Sequence, residues 1–342
     1  MTTQLPRAAE LDIKQRYLAV SGLVVGREEQ VRSVLAVLAA GRDLLLEGPP
    51  GTSKSTILRA ITGNYGIPLV FVEGNAELTP QKLIGYHDPA QVLRHGYRPE
   101  DFVAGPLPDA MRRGGFLYIE EFNRVPEDTL NALLTAMAER ELTVPRVGLI
   151  TAADTFRLVA AMNPFDNVGT TRVSVSVYDR LCRLAVGYQS RDEEREIVAL
   201  RSGGGADPDT VAFAVDLVRA SRDHPDLRTG SSVRGAIDLV LVACQLAAIH
   251  GLPPSRPEID GVLREAACLA LSSKITVVDP AERQPEQVIL ELAAELLRCP
   301  PWSDAGSSGA RASRPCGPGA TCSSRARRAP ASRSSCATSP PR

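Results

Sequence analysis

One stretch narrows the possible folds more than any other. Asp43-Leu-Leu-Leu-Glu47 runs into Gly48-Pro-Pro-Gly-Thr-Ser-Lys54-Ser55, and helix-forming residues follow to about Thr62. A buried strand that opens through a glycine loop into a helix N-terminus is the setting in which backbone N–H groups wrap a phosphate. The loop fits the pattern G-x-x-x-x-G-K-[ST], with Ser53 where the last glycine is expected. Lys54 is expected to reach the β/γ-phosphates of a nucleotide and the Ser55 hydroxyl to bind Mg²⁺. The departure at Ser53 asks only that the backbone there suit a short side chain.

Phe116-Leu-Tyr-Ile-Glu120-Glu121 places two acids at the end of an apolar run. Glu120 is expected in the Mg²⁺ shell and Glu121 to position and activate water. An acidic strand end alone is often merely solvated. Here it gains weight by lying 66 residues after Lys54, with another strand, Pro68-Leu-Val-Phe-Val-Glu73, between them. Asn163 closes a fourth strand, 157–162, where its amide can orient the attacking water; Asn163-Pro164 is equally a turn signal. Arg180, in Tyr178-Asp-Arg180 before a fifth strand at 181–187, can reach a neighbouring subunit's γ-phosphate. A surface ion pair is the plainer reading of Arg180, and Arg183 is its rival for the role. Gly230-Ser-Ser-Val-Arg234 opens a later helix, with Ser231 or Ser232 as its cap. Arg234 is expected to contact the γ-phosphate from there.

The pattern predicts an α/β fold: a three-layer αβα P-loop NTPase domain with a parallel sheet, followed by an all-α lid. Residues 26–40 have apolar spacing for a helix that stops at Gly41. Residues 74–109 are broken by Gly and Pro, as a helix interrupted by a hairpin would be, and 141–157 alternate loosely as a second hairpin. After Tyr188, Ser190 and Glu193 form a capping box, and helical stretches follow at about 209–222, 231–250, 257–273 and 284–298, with no strand pattern. The expected division is a nucleotide-binding domain over 1–189, a helical lid over 190–300, and a disordered low-complexity tail over 301–342.

Composition excludes other classes. Residues 302–342 hold seven Arg and one acid, leaving 32 basic against 39 acidic residues in the rest, a net charge of about −7. With aromatics at 4%, neither a phosphate-backbone surface nor a base-stacking one is expected, so no nucleic-acid partner is expected. Arg7, Glu10, Asp12 and Lys14 interrupt any leader-like run, and no apolar run nears the roughly 20 residues that span a bilayer. The best is Leu239–Cys244, and a cytoplasmic location is expected. Cys182, Cys244, Cys268 and Cys299 sit in apolar segments and are expected to be buried thiols; Cys316, Cys322 and Cys336 form no C-x-x-C pair. His87 and His95 have no cysteine near them and make a poor metal site.

Taken together, the chain resembles the MoxR group of AAA+ ATPases, a helix-2-insert clade, over roughly residues 22–240. The resemblance rests on Val25-Gly26-Arg27-Glu28, the 48–55 loop, Glu120-Glu-Phe-Asn-Arg124-Val-Pro, Leu133-Leu-Thr-Ala-Met-Ala-Glu139, Ala161-Met-Asn-Pro164, Gly169-Thr170, Tyr178-Asp-Arg180 and Ser232-Val-Arg234. It implies ATP as ligand, held by Gly48, Pro49, Pro50, Gly51, Thr52, Ser53, Lys54, Ser55 and Thr56, with Val25 and Gly26 near the adenine. It implies Mg²⁺ at Ser55 and Glu120, and a catalytic set of Glu121, Asn163, Arg180 and Arg234. It further implies a homo-hexameric ring that remodels or matures a partner complex, often with a partner carrying a von Willebrand factor A domain. Arg94, His95 and Arg98 in the first hairpin could face a ring pore or partner. Two other readings stand beside it: a nucleotide-gated scaffold with little turnover, and a chelatase-type motor subunit for metal insertion.

Overall fold

The computed structural model describes residues 12–164, 173–251, 256–280 and 282–298. The segment 301–342 and the Gly169-Thr170 pair lie outside them, as do Cys299, Cys316, Cys322 and Cys336.

Five parallel strands form the central sheet: β1 (Asp43–Glu47), β2 (Leu69–Glu73), β3 (Phe116–Glu120), β4 (Arg157–Met162) and β5 (Leu181–Ala185). Their order is β2-β3-β4-β1-β5. Near-continuous apolar runs suit strands covered on both faces. Alternate side chains then feed two cores. Leu44 and Leu46 of β1, with Phe116, Tyr118, Val159 and Ala161, pack against helices α2 (Glu28–Ala39) and α3 (Lys54–Tyr65). Leu45, Leu117, Ile119, Leu158 and Ala160 face the other way, onto α4 (Pro106–Arg113) and α5 (Glu127–Glu139). This is the expected three-layer αβα arrangement. A first helix, α1 (Ile13–Val20), was not expected; it packs on α2 and α3.

Both hairpins are present. Gly85–His87 pairs with Phe102–Ala104 around a short helix, Pro89–His95, and Glu141–Val144 pairs with Gly148–Thr151. The Arg146 guanidinium lies 4.9 Å from the Tyr97 ring centre, joining the two.

The helical part comprises α6 (Arg191–Arg201), α7 (Pro208–Asp223), α8 (Val233–His250), α9 (Arg256–Leu271) and α10 (Pro285–Arg298). The capping box opens α6 as expected: Glu193 N–H donates to Ser190 Oγ, and Ser190 N–H to Glu193 Oε2 at 2.7 Å. Three expectations need correction. Leu227–Thr229 and Thr276–Val277 do pair, as a two-stranded antiparallel ladder too short to show a period. Ser232 occupies the cap position of α8, but neither it nor Ser231 caps the helix with its side chain. Cys182 and Cys244 are exposed and Cys268 half-buried, because β5 is an edge strand and Cys244 lies on the outer side of α8. With Arg234 and Asp238 included, the 18 residues of α8 have a mean hydropathy of 1.5, enough to cross a membrane by length and composition alone. That helix nonetheless packs on α7 and α9 through Ala236, Leu239, Val240 and Ala243.

Candidate nucleotide-binding site

The carboxyl ends of β1, β4 and β3 lie side by side, Glu47 opposite Met162 and Ile119 opposite Ala160. Loops leaving these ends therefore converge, as ligand-binding loops do in open parallel sheets. A cavity of about 440 Å³ opens there between the sheet and the helical part. Val25, Pro50 to Thr56, Glu120, Glu121, Asn163 and Arg234 line it. The cavity thus gathers residues that are far apart in the chain, including most of those singled out from sequence. Gly26 and Pro49 are not in its lining but adjoin residues that are, and Gly48, also outside it, accepts from Lys54 through its carbonyl; Arg180 stands outside it.

The loop is built for close approach. Gly51 has φ 77°, and a Cβ there would fall 2.5 Å from Ser232 Oγ and 2.6 Å from Ser232 Cβ. Only glycine fits both the left-handed backbone and the contact with the helical part. Ser53 also takes a left-handed backbone, φ 66°, which explains why the pattern prefers glycine there. The chain keeps a Cβ at a cost on the order of 1 kcal/mol. The expectation that position 53 needs only a short side chain was therefore too mild. Ser53 Oγ accepts a hydrogen bond from Gln189 Nε2 at 3.3 Å.

Lys54 is buried at the start of α3. Its ammonium donates to Gly48 O and Pro49 O, each at 2.8 Å, and to Thr52 Oγ1 at 3.4 Å. Desolvation pulls its pKa below the usual lysine value, while the Glu120 and Glu121 carboxylates oppose that shift. A buried cation whose hydrogen bonds, among the described residues, go to its own loop's oxygens is poised to exchange them for the oxygens of an anion.

Glu120 ends β3, and Glu121 follows with a left-handed backbone, φ 52°. The Glu121 carboxylate lies 3.3 Å from Arg124 Nε. Asn163 O accepts from the Asn123 amide at 3.4 Å. Among the described residues no cluster of three or more His, Cys, Asp or Glu could hold a metal unaided. One hydroxyl and one carboxylate, Ser55 and Glu120, suit Mg²⁺ instead, which characteristically completes its shell with substrate phosphates and water.

Sequence reading missed the apolar and cationic wall that the helical part contributes. Ile197, Leu200 and Arg201 of α6 and Val233 and Ile237 of α8 join Leu23 and Val24 around the cavity. Their role depends on how α6 and α8 dock, which no local pattern encodes. The two candidate arginines also separate. Arg183 pairs with the buried carboxylate of Glu47, whereas Arg180 donates to Ser176 O at 2.7 Å and is exposed.

Comparison with known proteins agrees with this geometry. Residues 43–181 match the AAA domain (dynein-related subfamily). The chain is 29% identical over 247 residues to the gas vesicle ATPase GvpN of Ancylobacter aquaticus, covering 66% of this chain and 68% of GvpN. It is 29% identical over 193 residues to the chaperone MoxR1 of Mycobacterium tuberculosis, covering 56% of this chain and 48% of MoxR1. A solved point mutant of Thermotoga maritima RuvB superposes with a TM-score of 0.51 at 16% identity, over 73% of this chain and 72% of that one. At that identity the likeness is one of fold alone. The family match, the two named relatives and the αβα sheet with its helical extension agree: residues 43–181 match an AAA domain, and the chain is similar to AAA+ ATPases of the MoxR type.

Proposed function

We propose that this chain is a Mg²⁺-dependent ATP hydrolase that couples turnover to remodelling or maturation of a partner protein complex. The observation that carries the proposal is the meeting of Lys54, Glu120, Glu121, Asn163 and Arg234 around one cavity. The N–H groups of 51–55 and the Lys54 ammonium hold the phosphates; Ser55 and Glu120 would hold Mg²⁺, which when bound would neutralise charge on the phosphate oxygens. Glu121 takes the proton of a water whose oxygen attacks the γ-phosphorus, and the bond to the β-phosphate oxygen breaks to leave ADP. Asn163 orients that water. Arg234 contacts the γ-phosphate, and Arg180 serves a neighbouring subunit's site. The pairing of Arg183 with Glu47 within one chain favours Arg180 over Arg183 for that role.

In this reading 1–189 form the nucleotide-binding domain and 190–300 a lid, working in a hexameric ring in the cytoplasm. Similarity to a chaperone and to a gas vesicle ATPase supports action on an assembling complex. A partner with a von Willebrand factor A domain follows from the family resemblance. The strained Ser53 and the longer acid at Glu120 favour a second reading, a nucleotide-gated scaffold with little turnover. Steady phosphate release by the purified chain separates the two. Affinity capture with Glu121→Gln in ATP then tests the partner role: a complex retained with ATP and lost with Lys54→Ala supports it, and no nucleotide-dependent capture refutes it.

A further inference from the structure

We propose that Gln189, which lies outside the nucleotide cavity, is a positioning residue that ties the phosphate loop to the lid and so sets the chain's discrimination between triphosphate and diphosphate. This rests on the nucleotide-binding reading above.

Residues 186–190 link β5 to α6 and are anchored beside the loop. Val186 N–H donates to Glu47 O at 2.7 Å, and the Val186 carbonyl fills the space a Cβ at Gly48 would need. Three residues on, Gln189 is 5% exposed. Its side-chain Nε2 donates to Ser53 Oγ, and its backbone oxygen accepts from Arg219 at 3.2 Å. Arg219 also donates to Glu194 Oε2 at 3.1 Å. Glu194, 1% exposed, holds Arg222 through its other oxygen at 2.8 Å. Arg222 donates to Ser231 O at 2.9 Å and lies 3.8 Å from the Tyr188 ring centre. Ser231 leads to Ser232, which abuts Gly51.

The path leaves the loop at Ser53, crosses α6 and α7, reaches the start of α8 and returns to the loop at Gly51. Arg234, two residues beyond Ser232, is carried on the same helix start into the cavity. A rotation of the helical part that moved Arg234 would have to break a member of this path. Buried ion pairs contribute little net stability, but they define geometry when every member is in place.

Two costs argue that the Ser53–Gln189 contact is kept for more than stability. Ser53 retains a left-handed backbone that glycine would hold without strain. Gln189 buries its Oε1 with no hydrogen-bond partner among the described residues, a penalty that leucine would remove. Strain of this kind persists where surrounding structure holds it for a purpose.

The test compares the parent chain with Gln189→Leu, Ser53→Gly, Ser53→Ala and Lys54→Ala. Affinities for ATPγS and ADP in Mg²⁺ are measured by competition against a fluorescent nucleotide, and melting temperatures are recorded without nucleotide. Gln189→Leu and Ser53→Gly are expected to melt at or above the parent's temperature. All three variants at 53 and 189 are expected to lower the ratio of ATPγS to ADP affinity by about 2- to 10-fold, the range of one lost hydrogen bond. A purely structural role would move the melting temperature and leave that ratio alone. If the parent binds nucleotide, Lys54→Ala does not, and the ratio is unchanged in all three variants, the inference is overturned while the site assignment stands. If the parent itself binds no nucleotide, the proposed function falls, and this inference with it.

Discussion

Glu47 and Arg183 form an ion pair at the rim of the sheet, a buried carboxylate at the end of β1 held by a guanidinium from edge strand β5. Glu47 immediately precedes the phosphate loop, so this pair braces the loop's root. Truncating Arg183 leaves a buried charge without its cation, the costly half of breaking an ion pair. Arg183→Ala is expected to lose about 1–2 kcal/mol in urea denaturation, less than a fully buried pair because Arg183 is 62% exposed. Arg180→Ala is expected to leave the denaturation midpoint within about 0.5 kcal/mol of the parent. Phosphate release by the assembled protein should instead fall about 10³-fold. The reverse pattern would exchange the two arginines' roles.

Lys54 gives the site a pH dependence of definite sign. Burial holds its pKa below the usual lysine value of 10.5 in the folded chain. Only the protonated form attracts phosphate, so ADP affinity should decline as pH rises through that lowered pKa, before 10.5. The stability contribution runs the other way. Between the lowered pKa and 10.5 the unfolded chain binds more protons than the folded one, so the cost of burying this cation is relieved as pH rises. Titration of ADP affinity by calorimetry, with circular dichroism melts at the same pH values, tests both slopes.

Gly51 carries the contact between loop and helical part. Gly51→Ala sets a methyl against Ser232 and forces a left-handed backbone on alanine. It should cost about 1–2 kcal/mol in stability and at least 10-fold in nucleotide affinity. Adding Ser232→Gly removes the atoms in the way but not the backbone strain. The double variant should therefore regain much of the affinity while remaining less stable than Ser232→Gly alone. Independent, additive losses in affinity would show that the close approach is not what glycine serves.

The parts legible in sequence are those whose signal is local. Each sheet strand is a short apolar run, and the Ser190–Glu193 box marks the start of α6 within its own four residues. The nucleotide loop and the Glu120-Glu121 strand end could be read for the same reason. The left-handed backbone at Ser53 is implied by the glycine the pattern expects, although its cost is visible only in the dihedral. What escaped depends on packing. Leu227–Thr229 and Thr276–Val277 are too short to show a period and meet only because α8 and α9 fold back between them. Ile197, Leu200 and Arg201 read as an ordinary stretch of α6 until that helix is docked over the cavity. Ser232 looks like a cap, yet lies against Gly51 without capping α8. The exposure of Cys182 follows from its place on an edge strand, which strand order decides.

The most direct measurement sets nucleotide binding beside phosphate release for the folded parent and for Glu121→Gln, both in Mg²⁺. The parent should bind ATP and release phosphate steadily. Glu121→Gln should bind ATP within about 3-fold of the parent and release phosphate at least about 10²-fold more slowly, the loss of a proton acceptor at the reacting water. Phosphate release at the parent's rate by Glu121→Gln, or a folded parent with no affinity for any nucleotide, would contradict the account.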